Sequence, residues 1–328
     1  MSPYTPVDYF SIQSENQFQE LALAAFVYQY ASNKVYRSFC NHLNIAPPDV
    51  QTINDLPFLP IELFKQHQII SGEAPVKKIF CSSGTTGTTK SLHYLTDEEI
   101  YRVTLLEGFK RVFGSPSKHS FLALLPGYIE RSDSSLVYMV NELMKKSTKK
   151  NNVFFQEANC DLIRAIQYNQ QNEIETILFG VSFSLMEFAT KNPISLEKVN
   201  LIETGGMKGK MEEKTRKELH TILKEKFSIT NVYSEYGMTE LLSQAYSTKD
   251  EVFESPPWMN ILIRETNDPK NYIELGKIGG INVIDLANIN SCCFISTQDL
   301  GKKTSPNTFE VLGRFDNADI RGCNLLFS

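Results

Sequence analysis

The chain lacks an apolar run near the roughly 20 residues needed to cross a bilayer. Its first stretch, MSPYTPVDYFSIQSENQ, has no basic segment followed by an apolar one, so no secretory signal is read there. Cysteine is scarce: six residues, at 40, 81, 160, 292, 293 and 323, with no C-x-x-C, and only five histidines beside them. That argues against a zinc ribbon or dithiol redox site and predicts a reduced, cytoplasmic protein with free thiols. Positive charge is not in excess. A net charge of -5 argues against nucleic-acid binding through a broad basic surface. The basic KKSTKK at 145–150 reads as a solvated helix end and loop. Internal repeats and low-complexity linkers are also missing.

What is present is ordinary for a globular protein, with 41% hydrophobic and 22% charged residues in 328. Residues 18–43 carry apolar positions at helical spacing, and a proline-rich connection follows. From VKKIF onward, strand-like and helix-like segments alternate: SFLALLPG, SSLVYMVNELMKK, NVFFQE, CDLIRAIQYNQQN, ETILFGV, SFSLMEFATKN, VNLIETGG, KMEEKTRKELHTILKEKF and NVYSEYG. This predicts an α/β body of parallel or mixed sheet with covering helices, to about residue 253. WMNILIRE, GGINVIDL, SCCFISTQDLG and TFEVLGRF then predict a β-rich part over 254–312. The adjacent Cys292 and Cys293 are expected to face opposite sides of a strand.

The densest chemistry lies at 80–91, FCSSGTTGTTKS. Gly84 and Gly87 free the backbone to bring N–H groups close to an anion. Ser82, Ser83, Thr85, Thr86, Thr88 and Thr89 add hydroxyl donors, and Lys90 a mobile positive charge. With a strand before it and a helix soon after, the segment reads as a phosphate-holding strand–loop unit. It is not a Walker loop, because Thr89 stands where that pattern needs glycine before the lysine. G-x-G-x-x-G is absent, and so is the G-x-S-x-G elbow of serine hydrolases.

The loop resembles the phosphate loop of adenylate-forming enzymes, the acyl-CoA synthetase and luciferase superfamily. Three further stretches share the likeness: YSEYGMTE at 233–240, STQDLG at 296–301 and GRFDNADIRG at 313–322. Within that superfamily the chain is most similar to the acyl-protein synthetases, the LuxE family, through LPGYIERSDSSLVYMV, ETGGMKGK and DIRGCNLL. A weaker likeness touches the phenylacetate-CoA ligase branch.

The resemblance implies an adenylate-forming core over 1–312 with a hinge-motif remnant and tail at 313–328. It implies ATP and Mg²⁺ as cofactors. The loop 82–90 would grip the β- and γ-phosphates. Glu240 would hold the metal, and Thr239 would bond the α-phosphate. Gly205 and Gly206 would lie against adenine, with Tyr236 and Gly237 beside them. Asp299 would accept from the ribose hydroxyls, and Arg314 would reach ribose or phosphate. The superfamily's small C-terminal domain and its lysine are expected to be absent, with Lys90, Arg314 or Arg321 in place of that charge. A cysteine near the C-terminus takes the acyl group in this family, and Cys323 matches it; Arg321 nearby would favour its thiolate. Plainer readings stay open: Gly205 and Gly206 as a strand end, Asp299 as a turn residue, Glu240 as a helix cap, Cys323 as a small hydrophobe in a docked tail. His93 is the histidine nearest the loop and is a candidate to face the substrate carboxylate.

The expected function is ATP-dependent activation of a carboxylic acid, of the fatty-acid class, to acyl-AMP with transfer to a thiol. The expected partners are that acid and an acyl-accepting reductase, acyltransferase or carrier protein. The alternatives are an acyl-CoA ligase of the phenylacetate type and a non-catalytic adenylate-binding subunit. The acyl pocket depends on which of Tyr128, Met139, Phe179, Phe183 and Met207 face inward.

Overall fold

The strands Ser120–Leu124 and Thr176–Val181 are buried at every residue in the computed structural model, which describes residues 2–83, 89–128, 130–205, 215–269 and 271–315. Strands with no exposed position are those of a parallel sheet covered on both faces, and their apolar sequences suit that place. They belong to a unit made of 102–238 and 244–253. In it, Val153–Phe155, Ser120–Leu124, Thr176–Val181, Val199–Thr204 and Tyr233–Tyr236 run parallel, in that spatial order. Ala245–Lys249 pairs antiparallel with the last of them. The second strand in sequence lies outside the first, and the later ones continue on its other side. Such a reversal opens a crevice at the carboxyl ends of the strands, where α/β sheets bind ligands.

Helices follow the strands because their ends are marked in the sequence. Ser134 accepts from Val137 N at the start of Ser135–Lys146, and Lys145 and Lys146 close its last turn. A cationic last turn matches the negative end of the helix dipole. Asn159 caps Cys160–Gln171. Thr215 and Glu218 form a reciprocal capping box at the start of Arg216–Phe227. Of the predicted acyl-pocket side chains, Met139, Phe179 and Phe183 are buried and Tyr128 is half-buried; Met207 lies outside the described residues.

The other unit takes the described residues of 1–101, 239–243 and 254–328. Its antiparallel strands are Met259–Arg264, Gly279–Asp285, Phe294–Ser305 and Thr308–Arg314. The helices Glu15–Ser32 and Lys34–His42 are tied to this unit by buried amides. Gln29 Nε2 donates to the Ile289 carbonyl at 2.9 Å, while its oxygen accepts from Cys293 N at 2.9 Å. Asn33 donates to the Ser291 carbonyl at 2.9 Å and accepts from Tyr36 N at 2.9 Å, capping the second helix. The Tyr36 ring stacks on Phe294 with centroids 5.8 Å apart.

Two expectations are corrected here. The loop after Lys78–Cys81 leads first into an unexpected second strand, Leu92–Leu95, so the Ser/Thr/Gly segment joins the arms of a β-hairpin before the expected helix begins. His93 and Leu95 alternate inward with Leu92 and Tyr94 less buried, which is strand periodicity; the helix Glu98–Phe113 comes after it. Cys292 and Cys293 do not face opposite sides of a strand. Both are fully buried in the turn before Phe294–Ser305, and burial pushes both thiols up.

The segment 239–243 is held by Asp285. Its carboxylate accepts from Leu242 N at 2.8 Å, Ser243 N at 3.0 Å and the Ser243 hydroxyl at 2.6 Å. Each buried N–H left without an acceptor costs about 1–3 kcal/mol. Asp285→Ala strands three of them, since Ala287 N also donates to this carboxylate at 3.1 Å, and is expected to lower the urea unfolding midpoint strongly; Asp285→Asn, which keeps one accepting oxygen, is expected to lower it less.

Candidate functional site

The mouth of the phosphate loop is closed by its own serines. Ser82 N donates to the Ser91 carbonyl at 3.0 Å, and Ser91 N donates back to Ser82 Oγ at 2.9 Å. Ser83 and Lys90 are exposed at the two ends. Gly84, Thr85, Thr86, Gly87 and Thr88, expected to cradle phosphate, lie outside the described residues.

Beside this mouth stands Glu240, only 5% exposed. Burial raises its pKa, against the Ser91 hydrogen bond and the Arg314 charge, which favour the carboxylate. Asp299 adds a repulsive negative charge to the same balance. Asp299 and Arg314 are direct cross-strand partners, and Arg314 Nε donates to Asp299 Oδ1 at 3.3 Å. Four stretches far apart in sequence thus meet within one unit: the loop mouth, Thr239–Glu240, Asp299 and Arg314. Beneath the Asp299 strand, the buried Arg264 guanidinium donates to the Thr297 carbonyl at 2.6 Å and to Asn282 Oδ1 at 2.8 Å. His93 faces inward at this end of the hairpin. Its Nδ1 bonds the Thr239 carbonyl at 2.7 Å, and burial lowers its pKa to about 4, so the ring is neutral.

The remaining candidates belong to the parallel unit, at the carboxyl ends of its strands. Gly205 follows Val199–Thr204 with φ 74, a conformation that favours glycine. Gly206 and the rest of 206–214 lie outside the described residues. The chain on both sides of that stretch is anchored to one buried carboxylate, Glu203. The Ser182 hydroxyl donates to Glu203 Oε2 at 2.8 Å and stands 3.0 Å from the Gly205 carbonyl. Arg216 Nε donates to Glu203 Oε1 at 3.0 Å, and the Ser234 hydroxyl donates to the same oxygen at 2.6 Å. Burial opposes this charge, but the His220 hydrogen bond, the Arg216 charge and Ser234 hold the carboxyl down to about 2.

On the opposite face of the sheet is Glu235, which accepts from the Thr204 hydroxyl. Burial raises its pKa to about 7, and the Glu203 charge works in the same direction. Its Oε1 lies against Gly237: a Cβ there would sit 2.3 Å from that oxygen, so any side chain at 237 would have to displace the Glu235 carboxyl. Tyr236 is buried with its ring 5.9 Å from Phe253.

The groups around Glu240 have the chemistry to hold a metal with phosphate. Mg²⁺ prefers one or two carboxylates plus phosphate oxygens to a cage made wholly of protein. Glu240, a buried carboxylate whose charge burial disfavours, is a donor that a cation would relieve. Among the described residues no group of His, Cys, Asp and Glu forms a metal cluster by itself.

A family model described as acyl-protein synthetase, LuxE, matches residues 3–328. The chain belongs to the LuxE family of acyl-protein synthetases. It is 23% identical over 342 residues to the long-chain-fatty-acid–luciferin-component ligase of Vibrio harveyi, across 97% of this chain and 89% of that protein. Its fold is similar to 2-hydroxyisobutyryl-CoA ligase in complex with 2-HIB-AMP, with TM-score 0.69 at 10% identity, covering 92% of this chain and 68% of that one. ATP-bound MatB from Rhodopseudomonas palustris is similar at TM-score 0.54 and 18% identity, over 74% of this chain and 49% of that one. The LuxE-family chain therefore has the mixed α/β core of adenylate-forming ligases, in a family of acid–thiol ligases. Among its described residues no helix is long and apolar enough to cross a membrane.

Sequence reasoning missed Ser91, Glu203, Glu235, Asp285 and Asn288 as parts of this arrangement. Glu235 sits inside the YSEYGMTE motif and was there to be found. Asp285 and Asn288 lie in VIDLANIN, a stretch with no motif, and only the folded chain brings them to 239–243.

The two buried glutamates give opposite pH slopes. Glu203 is held below its ordinary value of 4.5, at about 2, so its stabilisation is present above 4.5 and is lost as pH falls toward 2. Glu235 is raised from 4.5 to about 7, so the folded state holds the extra proton and stability falls as pH rises between those values. Glu235→Gln is expected to flatten the fall of urea stability between pH 4.5 and 7. Glu203→Gln, which strands Arg216, is expected to cost about 3–5 kcal/mol at neutral pH.

Proposed function

We propose that this chain activates a carboxylic acid of the fatty-acid class with ATP and passes the acyl group to a thiol. The observation that supports it most is the meeting of Ser91, Glu240, Asp299 and Arg314 at the mouth of the Ser/Thr/Gly loop. The Vibrio harveyi relative, a long-chain-fatty-acid ligase, supports the acid class, and ATP-bound MatB supports the nucleotide.

In this reading a substrate carboxylate oxygen attacks the α-phosphorus of ATP. The bond from that phosphorus to the bridging oxygen breaks, releasing pyrophosphate and leaving acyl-AMP. Donors at 82–90, including Lys90, hold the departing phosphates, where negative charge accumulates. Thr239 bonds the α-phosphate. Glu240 holds Mg²⁺, which screens the phosphate charge when bound. Asp299 accepts from the ribose hydroxyls, with Arg314 beside it as a mobile cation. Gly205, Gly206, Tyr236 and Gly237 take the adenine. A thiolate then attacks the acyl carbonyl, the bond to the AMP oxygen breaks, and a thioester forms. Cys323 is the proposed nucleophile, and a reductase, acyltransferase or carrier protein is the proposed recipient.

The test is intact-protein mass after incubation with Mg-ATP and a panel of fatty acids, together with acid-dependent pyrophosphate release. The wild-type chain is expected to gain one acyl group, removable by neutral hydroxylamine and lost in Cys323→Ala. Pyrophosphate release without acylation would move the acceptor to coenzyme A or another protein. Neither signal with any acid would favour a non-catalytic adenylate-binding subunit. Glu240→Gln is expected to slow pyrophosphate release by about a hundredfold or more.

A further inference from the structure

Two buried side chains that hold the backbone at Thr239 and Glu240, His93 and Asn288, line one small cavity, and each carries an acceptor that meets no donor. His93 donates from Nδ1 to the Thr239 carbonyl at 2.7 Å. A carbonyl oxygen only accepts, so the proton of the neutral ring is on Nδ1 and Nε2 is an acceptor. Asn288 Nδ2 donates to the Glu240 carbonyl at 2.7 Å. Exchanging its oxygen and nitrogen would set two oxygens against each other, so Oδ1 keeps the other position. His93 Nε2 and Asn288 Oδ1 face each other closely enough for the amide oxygen to favour a charged ring, yet with the ring proton on Nδ1 neither atom meets a donor among the described residues. His93 is 1% exposed and Asn288 0%. Both line a cavity of ≈ 10 Å³ bordered by Leu242, Ala287 and Ser291. That is space for the centre of a single water, which can donate one proton to each acceptor.

We propose that one buried water bridges His93 Nε2 and Asn288 Oδ1, and that this His93–water–Asn288 clamp is the positioning device for the Glu240 carboxylate. It rests on the adenylating reading of the site. The carbonyl of Thr239 belongs to the peptide before the Glu240 Cα, and the carbonyl of Glu240 to the peptide after it. Peptides are planar, so holding both carbonyls fixes the two backbone dihedrals at Glu240 and the direction in which its side chain leaves. The water ties the two holding side chains to each other, so they act as one rigid support. Asp285 fixes the following N–H groups, at Leu242 and Ser243, on the same segment. His93 is a positioning residue in this scheme and does not touch the reacting atoms.

The experiment compares His93→Phe, His93→Asn and His93→Gln in the full chain. Asparagine places its amide nitrogen near the Nδ1 position, and glutamine near Nε2. Mg-ATP binding by calorimetry, KM and kcat for Mg-ATP, and thermal unfolding of the free chain are read for each. His93→Phe is expected to weaken Mg-ATP binding by about tenfold, the scale of one lost buried hydrogen bond. Its KM is expected to rise more than its kcat falls. His93→Asn is expected to restore most of the affinity and His93→Gln little. If His93→Phe does not fold, Asn288→Leu carries the same comparison. A crystal structure of the wild type is expected to hold one water within hydrogen-bond distance of both acceptors. Wild-type affinity in His93→Phe, an equal loss in His93→Asn, or a dry cavity would overturn the clamp alone. A wild-type chain that binds no Mg-ATP would overturn the adenylating reading and the clamp's role with it.

Discussion

Placing a carboxylate where water cannot reach it is costly unless something holds it and something answers its charge. Glu240 is such a group, and much of its unit is arranged around the short segment that carries it. Three buried side chains grip residues 239–243 by the backbone: His93 at the Thr239 carbonyl, Asn288 at the Glu240 carbonyl, and Asp285 at Leu242 N and Ser243 N. None is close in sequence to the segment it holds. The cost of burying each is offset by a hydrogen bond that a solvent-exposed loop would have given to water.

The parallel unit solves a related problem with a different carboxylate. Glu203 is charged and buried because two hydroxyls, a guanidinium and an imidazole surround it. Those partners come from a neighbouring strand, Ser234, and from two helices that follow different strands, Ser182 on one and Arg216 and His220 on the other. The result is a fixed frame on either side of residues 206–214. On the other face of the same strands, Glu235 has one hydroxyl partner, Thr204, and no cation among the causes that set its charge, so burial prevails and raises its pKa. Two glutamates on neighbouring strands thus differ in charge state because alternation along each strand turns them to opposite faces of the sheet.

Most of the element order was legible in the sequence. The helices carry visible caps at Ser134, Asn159 and Thr215, and the buried strands are continuous apolar runs. The helix expected soon after the loop at 82–91 is present at Glu98–Phe113, but the strand Leu92–Leu95 stands before it; SLHYL is too short for its alternation to stand out until it pairs with Lys78–Cys81. The cysteine pair departs from expectation for a similar reason. Alternation of faces was applied to two residues that lie before the strand begins at Phe294.

The sequence by itself determined the family-bearing motifs and their chemistry: hydroxyls and a lysine around glycines, a threonine–glutamate pair, and an aspartate and an arginine in later strands. These are properties of residue type and short spacing, and local chain geometry is enough to express them. Only the tertiary structure decided which groups meet. Asp299 and Arg314 become partners through strand register, and Glu240 becomes a buried acid through the packing around it. Asp285, Asn288 and Glu203 gain their roles from contacts that span tens to hundreds of residues along the chain. Burial and charge state are set by neighbours in space, and no short window of sequence contains those neighbours.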